Sequence, residues 1–275
     1  MIAGITARTI IAVRRPAPMC VAGARVGDGC EGDGMSLPDV TIAMTTWAPA
    51  GEDGYRRSMA VKVTLSSWLR NLHYEGRRRI HIADDGSTLM DYPQMLGHIV
   101  EMRGIQTGEP WPLEFSRGER HGVGASLNRA FKAGFDRGDL VLYGVDDWML
   151  PEAFDITPWA AFLEEREDVG MIRFFPHPDL SGHIGMIPGD QVGHYLRLDR
   201  HHYAFGHRPA LYHRRMIDAY GWFAEDTNAY DCERIYNERF ASHGGPDIVL
   251  ALPHYWRHIG GTEFAGIEPR EGRTE

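Results

Sequence analysis

Residues 139–150 read DLVLYGVDDWML, and residues 78–87 read RRIHIADDGS. Each contains a short, largely apolar run that stops on two adjacent aspartates, Asp146–Asp147 in one and Asp84–Asp85 in the other. Such a run suits a buried strand, and the acids at its end leave the core at the sheet edge. Further out, VTIAM (residues 40–44) breaks off into TTWAP (45–49), which predicts another buried strand running into a loop. SMAVKVTLSSWLRNL (58–72) follows, and its Val61, Leu65, Trp68 and Leu72 fall at helical spacing and give one apolar face. Strand, helix and strand in so short a stretch imply a right-handed crossover and parallel pairing. The expected fold class is α/β, a mostly parallel, Rossmann-like sheet flanked by helices.

The pattern continues in both directions from this frame. MLGHIVEM (95–102) reads as a third strand of the first half. HGVGASLNRAFKAGF (121–135) reads as a glycine-bearing entry to a helix, with Val123, Leu127, Ala130 and Phe131 inward. Pro151 suits a helix start, TPWAAFLEERED (157–168) continues as helix, and GMIRFF (170–175) as strand. Beyond Phe175 regularity drops. Residues 190–215 supply short strands or a lid, 214–223 and 229–240 form short helices around an acidic turn, and DIVLAL (247–252) is a last strand. These readings give one domain over 39–266, a nucleotide-binding half at 39–175 and an acceptor-side extension at 176–266. Residues 1–38, rich in glycine and acids and without period, read as a disordered arm. Patterning begins just after Met35, and 267–275 read as a loose tail.

With 275 residues and 43% hydrophobic composition, the chain can fill one core. A net charge of -9 argues against a broad surface for nucleic acid or acidic lipid. Cys20, Cys30 and Cys232 are far apart and form no CxxC pair, so they read as free thiols of a reducing compartment, with a cytoplasmic location expected. No apolar segment is long enough to span a membrane. Arg14–Arg15 are followed by a segment broken by proline and glycine, not by a signal-like apolar core.

In an open α/β sheet, ligands collect beyond the carboxyl ends of the strands. An acid there can simply cap a turn, but two acid pairs in one sheet favour a ligand. Carboxylates bind hard cations such as Mg²⁺ or Mn²⁺, and a cation bridged to a diphosphate neutralises the charge that grows as the diphosphate leaves. Asp147 is the first choice as metal ligand, and Asp146 suits a ribose hydroxyl. Asp85 suits a pyrimidine edge, with Thr45 and Trp47 beside it. Trp47 offers a flat face to the base, or else fills the core. Arg117 and Arg120 either touch the diphosphate or are solvated. Gly122 and Gly124 lack the third glycine of a dinucleotide fingerprint, and no P-loop occurs.

TIAMTTWAP, IHIADDGST, HGVGASLNRAFKAG, VLYGVDDWML and PALYHRRMIDAYGWFAEDTNAYDCERIYNER, in this order and spacing, make the chain resemble the inverting GT-A glycosyltransferases of the family 2 type. The resemblance spans most of Asp39 to Phe240. It implies a metal-dependent transfer, from a nucleoside-diphosphate sugar, with UDP favoured, to a hydroxyl of a saccharide, protein or other acceptor. It places Thr45, Trp47 and Asp85 at the nucleobase and Asp146 and Asp147 at ribose and metal. It makes Asp231 the catalytic base, with Arg234 to orient it and Asp226 as the competitor. His258, in the loop after the last strand, resembles the late histidine that closes the metal site in several such enzymes; its other reading is a hydrogen-bonded loop residue. Two departures are Trp148 directly after the acid pair, where it can reshape the sugar pocket, and TTWAP in place of the family's usual polar residue after the aromatic. His201 and His202 are adjacent and chelate poorly. Two other readings stand beside this one, a nucleotidyltransferase acting on a sugar phosphate and a non-catalytic carbohydrate-binding protein. A glycosidase would need two carboxylates facing each other around the sugar.

Overall fold

A computed structural model describes residues 37–108, 111–175, 185–189, 193–201, 204–252 and 255–260. All but the last two residues of the arm expected at 1–38, the tail at 267–275, Cys20, Cys30 and His202 lie outside the described residues. The elements run β1 (Val40–Thr46), α1 (Glu52–Asn71), β2 (Leu72–His73), β3 (Arg78–Asp84), α2 (Tyr92–Thr107), β4 (Leu113–Arg117), α3 (Val123–Phe135) and β5 (Leu140–Val145). They continue with β6 (Trp148–Met149), β7 (Phe154–Asp155), α4 (Thr157–Glu165), β8 (Val169–Arg173), β9 (Gly185–Gly189), β10 (Gly193–Arg197) and β11 (Ala210–His213). The last are α5 (Arg215–Tyr220), α6 (Ala229–Ser242), β12 (Asp247–Leu252) and β13 (Arg257–His258).

Among the described residues nine strands form one sheet in the order β4-β3-β1-β5-β11-β8-β12-β10-β9. The first four are parallel, β11 runs against its neighbours β5 and β8, and β12 is again parallel to β8. The α/β expectation is met, and its cause is visible in the register. β1 pairs with β3 and β5 so that Thr46 lies opposite Asp84, and Thr45 opposite Val145. The two acid-ended strands and the TTW segment therefore finish together on one edge.

The two faces of the sheet are covered by different apolar sets, as expected when successive side chains alternate. Val40, Ile42 and Met44 pack with Val61, Leu65 and Trp68 of α1, Leu96 of α2 and Trp159 of α4. Ala43, Val141 and Tyr143 pack with Leu127 and Phe131 of α3, Met216 of α5 and Tyr236 and Phe240 of α6. The four positions expected to face inward, Val61, Leu65 and Trp68 of α1 and Leu72 directly after it, are all buried. Trp68 is pinned by donating its indole N–H to the Trp148 carbonyl at 2.7 Å. Its ring fills the space beside Gly144, where a Cβ would come within 2.3 Å of it.

Two expectations fail. Residues 95–102 are not a strand but the middle of α2. Pro93 lies in the first turn of α2, and the buried Tyr92, Leu96 and Val100 recur every four residues, a helical stripe that a short window does not separate from a strand. The strand is β4, whose Leu113–Arg117 alternation is brief and only half-buried because it is the sheet edge. The helix after Pro151 begins at Thr157, with Pro158 in its first turn.

Candidate active site

The carboxyl edge of β1, β3 and β5 sorts its four aspartates by burial and partner. Asp84 is fully buried and accepts from the backbone N–H of Ser87 at 3.2 Å and from its hydroxyl. Arg117 approaches it at 3.4 Å and donates to the Ser87 carbonyl at 2.5 Å. Asp84 and Arg117 thus hold the 84–87 turn. Asp85 is 8% exposed and faces Arg129 of α3 at 3.4 Å. Asp146, at 3% exposure, accepts from the Thr46 hydroxyl at 2.8 Å, and Arg57 lies 3.7 Å away. Burial pushes the Asp146 carboxyl up to about 6, opposed chiefly by Arg57 and reinforced by Asp147.

Asp147 is the most open of the four, its side chain 29% exposed. Its Oδ2 lies 3.1 Å from Nε2 of His258. The contact is made by a two-strand ribbon, β6 with β13, in which His258 pairs opposite Trp148 and the Ile259 N–H donates to the Asp147 carbonyl at 2.8 Å. Gly260 closes the corner. A Cβ there would stand 2.3 Å from Asp147 Oδ2 and 2.7 Å from His258 Nε2. Trp148, read as a residue able to reshape the pocket, is 6% exposed and packs beneath the ribbon, its ring 5.0 Å from His258 and 4.4 Å from Phe175.

Thr45 and Trp47 leave the strand differently. Thr45 is buried and shares a 3.0 Å hydrogen bond with the Tyr143 hydroxyl, whereas its neighbour Thr46 bonds Asp146 and Tyr92. Trp47 is half-buried and does not fill the core. The guanidinium carbons of Arg57 and Arg120 lie 5.3 and 3.8 Å from its ring centroid. The loop carrying Arg120 is set by Gly86, whose Cβ position lies 3.4 Å from the Arg120 nitrogen.

The acidic turn after α5 is laid across the start of α3. Asn128 of α3 donates to the Phe223 carbonyl at 3.0 Å and to Glu225 at 2.7 Å, and accepts from the Phe223 N–H at 3.0 Å. Gly124 allows the approach, since a Cβ there would fall 1.9 Å from the Ala224 carbonyl oxygen. Asp226 has a φ of 56° and bonds His121 twice, N–H to carbonyl and carboxylate to Nδ1, each at 3.0 Å. That carboxylate raises the pKa of the His121 ring. Asp231 lies one turn into α6. It exchanges bonds with the N-cap Asn228 at 2.9 and 2.7 Å and faces Arg234 at 3.3 Å.

The structure therefore brings Trp47, Arg120, Asp146, Asp147 and His258 to one edge, and carries Asp226 to the loop that bears Arg120. No hydrogen bond or ion pair joins Asp231 to these residues among those described. Sequence reasoning missed Arg57, Thr46, His121 and Gly260. For Arg57 a signal existed, because the first turns of a helix that follows β1 start at the ligand edge of the sheet.

No protein-family model matches the chain, and no curated protein sequence matches it. Solved structures do. S. aureus TarS aligns over 82% of this chain and 37% of its own, with a TM-score of 0.56 and 14% identity. TarS 1–349 in complex with UDP-GlcNAc aligns over 81% of this chain and 61% of its own, with a TM-score of 0.52 and 13% identity. GalNAc-T7 with UDP, GalNAc and Mn²⁺ aligns over 78% and 42%, with a TM-score of 0.52 and 11% identity. This chain spans less than two thirds of each. The likeness is one of fold: the chain is built on the GT-A α/β plan. Among the described residues no helix is long and apolar enough to cross a membrane.

Proposed function

We propose that this protein is a metal-dependent, inverting glycosyltransferase that moves a sugar from a nucleoside-diphosphate donor, UDP-linked by preference, to a hydroxyl acceptor. The observation that carries the reading is the Asp147–His258 pair, 3.1 Å apart at the carboxyl edge of the sheet and beside the buried Asp146. No group of three or more metal-binding side chains occurs among the described residues. A carboxylate and an imidazole suit Mn²⁺, or Mg²⁺ with less favour for the nitrogen, and substrate phosphates and water customarily complete such a sphere. The separation of the two donor atoms is close to the ~3 Å expected of adjacent ligands with ~2.1 Å bonds. When bound, the ion would offset charge growing on the departing diphosphate.

The protein groups do the rest. Asp146, ionised and held by Thr46, accepts from a ribose hydroxyl. Asp85, held by Arg129, accepts from the base edge, with Trp47 and Thr45 lining the same end. Arg120 lies where the diphosphate passes. On the acceptor side, Asp231 takes the proton of the attacking hydroxyl as its oxygen bonds the anomeric carbon. Arg234 and Asn228 fix its carboxylate. Asp226, whose carboxylate pairs with His121, is the competing candidate. Two structures of the same fold, one with UDP-GlcNAc and one with UDP and Mn²⁺, support the choice of donor. A cytoplasmic location belongs to the same reading, on the strength of Cys232, a buried free thiol.

Calorimetry with a panel of nucleoside diphosphates, with and without Mn²⁺, tests this reading. Mn²⁺-enhanced UDP binding, with the enhancement lost in Asp147→Ala, is the expected result. Enhanced binding of a different nucleoside diphosphate would move the donor class. No nucleotide binding by folded protein would sink the transferase reading in favour of carbohydrate binding alone.

A further inference from the structure

The arginines around the donor edge fall into two kinds. Arg117 and Arg129 are occupied by Asp84, Asp85 and neighbouring backbone carbonyls. Arg57 and Arg120 are placed differently. Arg57 rises from the second turn of α1, and Arg120 comes from the loop before α3, yet both guanidinium groups lie over the Trp47 ring. Among the described residues the carboxylate paired with Arg57 is Asp146, at 3.7 Å, which is beyond hydrogen-bond length. Arg120 makes no ion pair with a described residue. Two like charges gathered on one indole repel each other, and a cation–π contact offsets only part of that. A dianionic group settling between them would relieve the repulsion and use the guanidinium forks, which match phosphate oxygens.

Resting on the donor reading above, we propose that Arg57 and Arg120 together bind the donor's diphosphate, with Trp47 as the platform that holds both guanidinium groups. Arg57 becomes a donor-binding residue, and the diphosphate is held from two sides, by the arginines and by the metal pair. Two consequences follow from the charges. UDP binding weakens without metal but persists. Affinity also depends on the number of phosphates even in the presence of a chelator.

The experiment is calorimetry with UDP, UMP and uridine in EDTA and again in Mn²⁺, on the wild type, Arg57→Gln, Arg120→Gln and Arg57→Lys, with circular dichroism confirming each fold. In EDTA the wild type should bind UDP about tenfold or more tighter than UMP, the scale of one charge-assisted hydrogen bond. Each glutamine variant should lose about tenfold for UDP and less for uridine, whose ribose partner Asp146 also feels Arg57, and Arg57→Lys should recover part of the loss. Complete loss of UDP binding in EDTA would overturn the proposal. So would equal losses for uridine and UDP, which would mean that the arginines only support Trp47, or an unchanged UDP-to-UMP ratio in both glutamine variants. Absence of UDP binding by the wild type even in Mn²⁺ is a separate result, because it defeats the donor reading itself.

Discussion

Replacing Gly260 by alanine adds one methyl group where the structure has no room for it. Its φ is not in the left-handed region, so the backbone itself accepts alanine; the conflict is entirely with neighbours. The new Cβ would lie 2.3 Å from Asp147 Oδ2 and 2.7 Å from His258 Nε2, against 3.4 Å for ordinary contact. Relief requires both the carboxylate and the ring to retreat, by about 1 Å and somewhat less, and these shifts open the 3.1 Å pair toward roughly 4 Å. Adjacent ligands of one octahedral ion with ~2.1 Å bonds span only ~3 Å. Disturbing a neighbour that orients metal ligands typically costs about 10–100-fold in affinity, or roughly 1.4–2.8 kcal/mol. The fold should hardly notice, since surface changes of this kind stay within about 0.5 kcal/mol. Mn²⁺ binding followed by electron paramagnetic resonance, beside a thermal melt, separates the two effects. An unchanged Mn²⁺ affinity in Gly260→Ala would refute the assignment of Asp147 and His258 as a metal pair.

Three further outcomes are expected. Gly144→Ala puts a Cβ 2.3 Å from the buried Trp68 ring and should destabilise the protein by about 1–3 kcal/mol, read from urea midpoints; no change would mean that Trp68 repacks freely. Burial lowers His207 to about 4, so its contribution to stability is intact above the unfolded value near 6.5 and is lost as pH falls through 4. Urea unfolding at pH 7 and pH 4.5 should show that His207→Phe removes part of that acid loss, up to about 3 kcal/mol in full; parallel losses would place the acid sensitivity elsewhere. In His121 the hydrogen bond that the ring donates to Asp226 raises the ring's pKa, so the charged pair exists below that raised value and is lost above it. Asp226→Asn, which tolerates a φ of 56°, should bring the His121 titration down when followed by nuclear magnetic resonance, and an unmoved titration would contradict the pairing.

The acid-ended strands were legible because their signal is simple: an apolar run stops on charges that cannot stay in the core. Which acid of each pair faces the ligand was not, since neighbours at a strand end point opposite ways and sequence does not say which way is inward. Asp84 proved to be a buried turn-holder, and Asp85 a more open neighbour fixed by Arg129. The same ambiguity separates Thr45, bonded to Tyr143, from Thr46, bonded to Asp146. α2 was misread because Leu96, Ile99 and Val100 form an apolar cluster that suits either period. β4 was missed because an edge strand needs only one buried side. His121 and Gly260 were beyond reach for a different reason. Their meaning lies in contacts made far along the chain, Gly260 with Asp147 and His121 with Asp226, the latter 105 positions apart.

The ribbon formed by β6 and β13 sets Asp147 beside His258, 111 positions apart, and its second strand lies beyond the last member of the nine-stranded sheet in the chain. A polypeptide ending at Trp256 or Arg257 would still contain every strand of that sheet and Trp256 of the packed core, yet it would lack His258. Conformational quality control that inspects only the packed core would pass such a fragment as finished. Under the proposed metal role of Asp147 and His258, cation capture would not, which makes synthesis through the ribbon a condition of competence.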